Sequence, residues 1–376
     1  MNIYMDVTSK PKVLFIMHMP PPMHGAAQIG QYIHDSILIN ESFECRYINP
    51  SASANVSMIG RLSINKIKFL ITSLKKISNT IQEWQPDLVY LTPSSWDWGF
   101  YRDFLTVMLI KRNRCNIVAH YHNKGVEHFM NRWYNKLLYK WFFKDIKTIF
   151  LTTRLSGDFR PYLNDDQIFI CPNGIDSLQL IDKNKRERDK NMPFNFMFLS
   201  NMLEEKGVLV LLEACKLLKE QKSNFICTFV GKWSDITEEA FSQKVREYHL
   251  EDNVIAVGGK YGKEKVEFFM NADCFVFPTY YHGECFPLVL LEAMSFGLPC
   301  ISTNEGGIPD LLDDGKNGIV VEKKNPEKLS IAMKKMMMDP VMTTMMGKNA
   351  YEKFKQNYTL NKFEENICSI LNVCLR

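Results

Sequence analysis

The chain has 376 residues, 46% of them hydrophobic, which is enough apolar material for two or three domains with cores of their own. Its net charge of +4 is too small to indicate nucleic-acid binding by itself. The ten cysteines form no CxxC pair and several lie inside apolar runs, so we expect buried thiols in a reducing compartment rather than a disulfide framework or a zinc site.

The N-terminal segment, residues 1–12, lacks the long apolar core of a signal peptide. No run in the sequence reaches the roughly 18 apolar residues of a membrane span. We therefore expect a cytoplasmic protein that is soluble or lies peripherally on the inner face of the plasma membrane.

Short apolar runs alternate with helical patterns, which is typical of parallel sheets with crossover helices. In the first half the runs predict strands over 12–18, 87–92, 116–122 and 148–153. The helical patterns between them include 58–83 and 127–143. The charged stretch at 182–192 has no apolar periodicity and is interpreted as a solvated linker or loop.

A second series of strands follows this linker. These strands cover 195–200, 225–231, 253–259, 274–279, 299–304 and 318–323. Three amphipathic helices then close the chain, at about 327–338, 340–356 and 359–374. The fold class is therefore α/β with two doubly wound halves, and we expect the ligand crevice at the carboxyl ends of the strands and between the halves.

An apolar helix over 287–297 carries the strongest chemical signal. Pro287 suits its first position and Gly297 ends it. The helix should be buried, so a carboxylate at Glu292 is costly unless it is paired or hydrogen-bonded. The N–H groups at the helix start attract phosphate, and Glu284 lies just ahead of them. This arrangement suits a nucleotide sugar, whereas a buried glutamate satisfied by backbone and an unrelated loop glutamate are the plainer alternative.

The spacing of Glu284 and Glu292, followed by Gly-Leu-Pro and a Gly-Gly pair, resembles the retaining glycosyltransferases of family 4. The resemblance is strongest over 195–322. It implies the GT-B fold, in which two Rossmann-like domains face an interdomain cleft and a C-terminal helix crosses back to the first domain. It places Glu284 beside the donor sugar and Glu292 on the ribose hydroxyls, and it assigns to the donor Cys285, Phe286, Pro287 and Leu288.

The same resemblance implies an acceptor-binding domain over 1–180 and a nucleotide-sugar-binding domain over 181–358. Residues 359–376 then form the helix that packs back on the first domain. The expected co-substrate is a nucleoside-diphosphate sugar, and we expect no metal and no other cofactor.

Two places in the first half fit this family. A glycine turn between a strand and a helix can cradle an anion, and a simple turn is the alternative interpretation. The family's two adjacent glycines are Gly25 and Ala26 here, and a positive φ would be less comfortable at Ala26. Further on, His120 and His122 point the same way if their strand continues through residue 122. The resemblance assigns the catalytic contact with the sugar to His122, with His120 as a supporting neighbour or runner-up on the acceptor side. A His-x-His zinc site is disfavoured because only His128 lies nearby.

The Asn-Gly dipeptide at 173 is by itself a turn signal. In the family, Asn-Gly-x-Asp lies at the entry to the interdomain crevice. Asn173 and Asp176 match this pattern, and the resemblance implies that they are architectural and acceptor-side residues rather than catalysts.

The stretch around Lys206 matches the place where the family has Gly-Arg, then Lys-Gly opening a helix. Lys206 can neutralise the donor diphosphate as a point charge. The family arginine is Asn201 here, which has no charge and cannot fork onto two phosphate oxygens. Either Lys232 or Lys260 substitutes for it, or donor affinity is lower. The backbone of Lys260 and Tyr261 is expected to contact the nucleobase.

Together these assignments imply a glycosyltransferase (EC 2.4) of bacterial surface polysaccharide or lipopolysaccharide synthesis. Helix N-termini and Lys206 stabilise the leaving group, and Glu284 orients the sugar. No second carboxylate for a covalent intermediate is evident, so attack from the leaving-group face is expected. The alternatives are a nucleotide-sugar epimerase of the same fold, which would need no acceptor, and a degenerate sugar-nucleotide-binding partner subunit. The loss at Asn201 gives the second a little support, and the presence of both glutamates, His122 and Lys206 argues against it.

Two basic, amphipathic segments, 58–81 and 127–144, bear on the acceptor. The second adds aromatic side chains at Trp133, Tyr134, Tyr139 and Trp141. Such helices can lie on an anionic membrane surface, which predicts a lipid-linked glycan acceptor. In the alternative, each apolar stripe packs on the first sheet.

Overall fold

The computed structural model describes residues 10–21, 24–50, 64–124, 129, 132–176 and 192–376. The chain divides into two compact units. The first comprises Met1–Asn173 and Asn361–Arg376, and the second comprises Gly174–Leu360. Each unit is built around a six-stranded sheet of its own.

The sheet of the first unit has the order β2-β1-β3-β4-β5-β6, with every neighbouring pair parallel. Its strands are β1 (Lys12–Ile16), β2 (Glu44–Ile48), β3 (Leu88–Leu91), β4 (Asn116–Tyr121), β5 (Lys147–Phe150) and β6 (Ile168–Ile170). Its helices up to residue 173 are α1 (Gly25–Asp35), α2 (Ile37–Ser42), α3 (Ile64–Trp84), α4 (Asp97–Arg112) and α5 (Trp133–Phe143).

The second sheet has the order β12-β11-β10-β7-β8-β9 and is also parallel. Its strands are β7 (Phe194–Leu199), β8 (Phe225–Val230), β9 (Val254–Ala256), β10 (Cys274–Phe277), β11 (Cys300–Thr303) and β12 (Gly318–Val321). The helices of this unit are α6 (Val208–Glu220), α7 (Glu238–Glu247), α8 (Glu264–Asn271), α9 (Leu288–Ser295), α10 (Ile308–Leu311), α11 (Pro326–Met338) and α12 (Pro340–Asn357). The last helix, α13 (Leu360–Leu375), belongs to the first unit from Asn361 onward.

Every strand predicted from the sequence is present, with bounds that differ by three residues at most. The predicted ends that overshoot have local causes. β9 stops early because the chain turns at Gly258, which has a φ of 71°. β10 stops at Phe277 because Pro278, the next residue, has no N–H for the ladder. The parts of the predictions that fall on 58–63, 127–128, 130–131 and 182–191 lie outside the described residues.

Two strands, β2 and β6, are missing from the sequence prediction. Both lie at the edges of the first sheet and are partly exposed. β1, β3, β4 and β5 between them are almost wholly buried, as expected for parallel strands covered by helices on both faces. The exposed positions of the edge strands interrupt the apolar runs on which the prediction depends.

Helix α13 carries a buried stripe that includes Phe363, Ile367 and Leu371. The Lys147 ammonium donates to the carbonyl of Val373 at 2.9 Å, within the first unit. No described helix combines the length and apolar character needed to cross a membrane.

Each sheet has one point where the strand order reverses. In the first, β1 lies between β2 and β3, and in the second, β7 lies between β8 and β10. Ligands of doubly wound sheets bind outside the carboxyl ends of the strands at such a point. The loops that follow these strands are therefore the place to look for a site.

Candidate active site

Five loops meet at the carboxyl edge of the second sheet. Backbone hydrogen bonds of 2.6–2.9 Å connect the loop after β7 to those after β8 and β10, the loop after β8 to that after β9, and the loop after β10 to that after β11. This edge carries most of the residues predicted to bind the donor, namely Asn201, Lys206, Lys260, Tyr261, Glu284, Cys285, Phe286, Pro287 and Leu288.

Lys206 and Glu284, which were predicted separately, form one ion pair. The lysine Nζ lies 2.6 Å from the glutamate Oε2, and the two side chains are 15% and 10% exposed. The Thr279 hydroxyl lies 3.5 Å from the same oxygen, and the ammonium lies 4.3 Å from the ring centroid of Tyr281. Because Lys206 follows β7 and Glu284 follows β10, the pair lies at the point where the strand order reverses.

Gly207 brings Lys206 to this position. It caps α6 in the left-handed region, with a φ of 85°, which residues other than glycine adopt at a cost. A Cβ at this position would lie 2.3 Å from the carbonyl oxygen of Pro278. The loop after β7 can therefore lie directly against the loop after β10.

Helix α9 is buried beyond its first turn, as predicted, and Gly297 follows its end with a φ of 64°. The predicted helix start is wrong by one residue. Pro287 is the N-cap, with a ψ of 117°, and Leu288 is the first helical residue. The fixed φ of proline suits an N-cap as well as a first position, so the sequence does not distinguish the two. Leu288 and Val289 have N–H groups with no acceptor inside the helix.

Glu292 is the fifth residue of α9 and only 4% exposed. Its Oε1 lies 2.5 Å from the Nζ of Lys265, on α8. Its Oε2 is buried and has no hydrogen-bond partner within the described part of the chain. Burial raises the pKa of Glu292, against the opposing effect of the Lys265 ammonium. The expected pairing is thus met at one oxygen, by a lysine that the sequence prediction did not include.

Glu305, after β11, is a third buried carboxylate that the sequence prediction lacked. The Lys323 Nζ lies 2.5 Å from its Oε2, and the Gly306 N–H donates to its Oε1 at 3.1 Å. A Cβ on Gly306 would lie 2.1 Å from the carbonyl oxygen of Glu284. Gly306 thus allows the loop after β11 to pack directly against the loop after β10.

Asn201, which stands in place of the family arginine, is exposed. Of the two predicted substitutes, Lys232 lies on the adjacent loop, where its carbonyl accepts from the Met202 N–H at 2.8 Å. Lys260 is half-buried and Tyr261 is exposed, both in the loop after β9. The loop of Lys232 is thus hydrogen-bonded directly to the loop of Asn201, whereas the loop of Lys260 is hydrogen-bonded to the loop after β8.

In the first unit, the rings of His120 and His122 lie side by side with centroids 4.1 Å apart, so the two side chains point the same way as predicted. β4 ends at Tyr121, because its neighbour β5 ends opposite it at Phe150. His122 therefore lies one residue beyond the strand, not at its last position. The buried His120 has its Nδ1 2.7 Å from the Tyr90 hydroxyl. In the described residues, the Nε2 atoms of both histidines are buried without a hydrogen-bond partner.

Two further histidines, His18 and His24, lie near this pair and were missed. Their ring centroids are 6.0 Å apart. Burial, and then the nearness of His18 and His24, lowers the pKa of His122 to about 3. Burial, followed by the Arg102 guanidinium, lowers the pKa of His18 to about 4. These imidazoles are neutral at pH 7, so they can donate and accept hydrogen bonds to hydroxyl groups. A histidine two residues after the end of β1, His18, is the signal that could have revealed the larger cluster.

Helix α1 begins at Gly25, and Ala26 is its second residue. Neither residue has a positive φ. The expectation of a positive φ at Ala26, which alanine would adopt at a cost, is therefore wrong, because the backbone there is helical and suits alanine well. The imidazole of His24 caps the helix, with its Nδ1 accepting from the Ala27 N–H at 3.3 Å. One of the N–H groups that the prediction offered to an anion is thus used within the protein.

Asn173 is buried, and its Oδ1 has no partner in the described ranges. Asp176 is exposed and directly precedes residues 177–191, which are outside those ranges. The acceptor-side roles of both residues stay predictions.

The expectation that the protein needs no metal stays a prediction. Within the described ranges, no group of three or more His, Cys, Asp or Glu side chains is placed to hold a metal ion. His128, the third ligand considered for a zinc site, lies outside those ranges.

The chain is similar to known polysaccharide glycosyltransferases. The amylovoran biosynthesis glycosyltransferase AmsK of Erwinia amylovora is 31% identical over 144 residues, which cover 37% of this chain and 35% of that protein. The capsular polysaccharide biosynthesis glycosyltransferase CapM of Staphylococcus aureus is 26% identical over 215 residues, which cover 55% of each protein. The chain spans about half the length of the curated relatives it matches.

Among solved structures, Anabaena HepE in complex with UDP has a TM-score of 0.74 at 16% identity, over 96% of this chain and 100% of that one. At this identity the likeness concerns the fold alone. With the two parallel sheets, it confirms the predicted GT-B fold class. Residues 181–353, just under half of the chain, match the model of the family described as Glycosyl transferases group 1, and the assignment to family 4 stays a prediction.

Proposed function

We propose that the protein is a retaining glycosyltransferase of family 4 that moves a sugar from a nucleoside-diphosphate sugar to a glycan acceptor during synthesis of a bacterial surface polysaccharide. The observation that carries this proposal is the buried Lys206–Glu284 pair at the strand reversal of a unit that matches the group 1 glycosyl transferases. The names of AmsK and CapM support the polysaccharide, and the UDP complex of HepE supports the nucleotide donor.

The donor is proposed to bind along the edge of the second sheet. The N–H groups of Leu288 and Val289 and the Lys206 ammonium receive the diphosphate, and Glu292 receives the ribose hydroxyls. An ammonium has three donors, so Lys206 can hold Glu284 and a phosphate oxygen together. Glu284 is then fixed next to the sugar that leaves the phosphate.

During transfer, negative charge grows on the phosphate and positive charge on the sugar. Lys206 and the start of α9 stabilise the first, because preorganised donors act strongly where water is excluded. Glu284, Glu292 and Glu305 are each paired with a lysine at 2.5–2.6 Å, which weakens them as nucleophiles. We therefore propose attack from the leaving-group face with retention of configuration. His122 keeps the sugar-contacting role that the resemblance assigns to it.

The acceptor is proposed to be lipid-linked, in a protein that lies peripherally on the cytoplasmic face of the membrane. α4 and α5 turn large apolar side chains outward, with Trp98, Trp133 and Leu137 59%, 74% and 60% exposed. Further exposed members are Leu105, Met108, Tyr134 and Trp141. Tryptophan beside basic residues suits the membrane interface, and the Lys111 ammonium lies 4.4 Å from the Trp141 ring.

The two predicted membrane segments differ in how many of their apolar side chains are exposed. α3 overlaps the predicted segment 58–81. Among its described side chains, those of residues 68–84, Ile77 is buried in the core and Ile71 is the only large apolar one that is exposed. In α5, Tyr139 is buried, but its outward neighbours are not. We therefore assign the membrane contact to α4 and α5.

A panel of UDP- and GDP-sugars tests the proposal in two steps. A ligand of the folded state raises the Tm in proportion to its occupancy, so thermal shift identifies the donor. The stabilising sugar nucleotide is then incubated with and without a lipid-linked glycan extract. We expect release of the nucleoside diphosphate only with the extract. Conversion of the donor alone would identify an epimerase, and no stabilisation by any nucleotide sugar would contradict the proposal.

A further inference from the structure

Glu292 is a buried carboxylate with one oxygen on a lysine and the other without a partner among the described residues. We propose that Lys265 is a positioning residue, which holds Glu292 by Oε1 so that Oε2 accepts a hydrogen bond from the ribose diol of the nucleotide. The inference rests on the proposed function, because it needs a nucleotide at this edge of the second sheet.

The geometry fixes the carboxylate from one side. Lys265 is the second residue of α8, Glu292 lies on α9, and their 2.5 Å contact connects the two helices. An oxygen held at this distance prevents the carboxyl group from turning freely. The position of Oε2 is then set by the protein before any ligand arrives.

The unpaired oxygen needs a donor. A buried acceptor without a hydrogen bond loses the hydrogen bonds to water that it makes in the unfolded chain, and the loss is larger when the acceptor is charged. Such an atom in a folded protein calls for an explanation such as a ligand. An ionised carboxylate only accepts hydrogen bonds, so a pair of neighbouring hydroxyl groups is a matched ligand, whereas a phosphate is not.

Lys265 also stabilises the buried negative charge of Glu292. A carboxylate that is 4% exposed is stable in its charged form only beside a cation or several donors. Lys265 is half-buried itself, with 18% of its side chain exposed. Lys263, two residues earlier, is exposed and occupies the N-cap position of the same helix without a capping hydrogen bond from its side chain, so it serves as a matched control.

Binding of UDP and of 2′,3′-dideoxy-UDP, which lacks both hydroxyl groups, tests the inference by isothermal titration of the full chain. We expect the unaltered protein to prefer UDP by about tenfold or more, since hydrogen bonds to charged groups are of that size. In Lys265→Met we expect this preference to fall to less than about threefold, mainly through weaker UDP binding. Lys263→Met should keep it. A purely structural role would weaken both nucleotides equally.

Equal binding of the two nucleotides by the unaltered protein, or an undiminished preference in Lys265→Met, would overturn the inference. If Lys265→Met does not fold, the double variant Lys265→Met/Glu292→Gln carries no buried charge and should bind both nucleotides equally; a preserved preference there would also overturn it. An unaltered protein that binds neither UDP nor GDP would instead count against the proposed function itself.

Discussion

Lys206 Nζ lies 2.6 Å from Glu284 Oε2, although the two residues are 78 positions apart in the chain. They meet because β7 and β10 are neighbours at the reversal of strand order. The two side chains differ in the contacts that each would keep if the other were removed. The ammonium also lies against the Tyr281 ring, whereas in the described part of the chain the carboxylate has only the Thr279 hydroxyl, at 3.5 Å, as a further partner.

This asymmetry predicts that Lys206→Met destabilises the protein more than Glu284→Gln does. The first variant leaves a buried carboxylate without its cation, which costs about 3–5 kcal/mol for a fully buried pair and less for one with this partial exposure. The second leaves a lysine that keeps its aromatic contact, and we expect a loss of about 1 kcal/mol. Urea unfolding of the full chain measures both.

The double variant Lys206→Met/Glu284→Gln is the control for this comparison. Because it leaves no buried charge, we expect it to be more stable than Lys206→Met alone. A double variant that loses the sum of the two single effects would show that the residues do not interact.

Gly207→Ala should cost more stability than Gly315→Ala. Both glycines have a similar positive φ, 85° and 76°, but a Cβ would meet the Pro278 carbonyl only at Gly207, and nothing lies within 4 Å at Gly315. The φ penalty is about 1 kcal/mol at each, and the clash adds about 1–3 kcal/mol at Gly207. Equal shifts in thermal unfolding would mean that the two loops can move apart freely.

The sequence predicted the buried strands and the charged residues one by one, but not which of them meet. Glu292 was expected to be paired because its helix is apolar throughout, yet its partner Lys265 lies in a polar stretch that resembles any solvated helix start. The partner of a side chain depends on which loops become neighbours, and this follows from strand order rather than from local pattern. His18 escaped notice for the same reason, since β1 and β4 come near one another only through the sheet.

Edge strands are the other omission. β2 alternates exposed and half-buried residues and is buried only at its last position, so it lacks the continuous apolar run that marks a central parallel strand. For α9, by contrast, the apolar residues, the stop at Gly297 and the carboxylate inside it were all apparent, and the start was wrong by a single residue.

Asn201→Arg should strengthen nucleoside-diphosphate binding. The side chain is exposed in the loop after β7, and an arginine there would add a charge and a fork of donors beside the proposed phosphate site. We expect about tenfold tighter UDP binding at low salt, with a smaller gain at high salt because the charge is screened. Asn201→Gln adds length without charge and should bind like the unaltered protein. An arginine variant with unchanged affinity would place the phosphates elsewhere.

The histidine cluster predicts that the first unit loses stability in mild acid. The pKa values of His122 and His18 are lowered to about 3 and about 4 in the folded protein, against about 6.5 when unfolded. Between pH 6.5 and 4 the unfolded chain therefore binds more protons, and the free energy of unfolding falls as pH falls. The slope approaches about 1.4 kcal/mol per pH unit for each histidine. Urea unfolding at pH 6.5 and 5 should show a shallower slope for His122→Asn, and an unchanged slope would contradict the assignment.

Substitution of the outward side chains of α4 and α5 should release the protein from membranes. In a triple variant, Trp98→Ser, Trp133→Ser and Leu137→Ser remove the three most exposed apolar residues of these helices. At about 1.5 kcal/mol or more for each large apolar side chain withdrawn from water, their loss should weaken vesicle binding by at least about tenfold. Sedimentation with vesicles containing anionic lipid at low salt measures this.

Ile71→Ser, which removes an equally exposed apolar residue from α3, should still sediment. The opposite outcome would contradict the assignment: Ile71→Ser stays in solution and the triple variant still sediments. The contact would then belong to α3, because only the helix that enters the lipid interface loses binding energy when its apolar face is made polar.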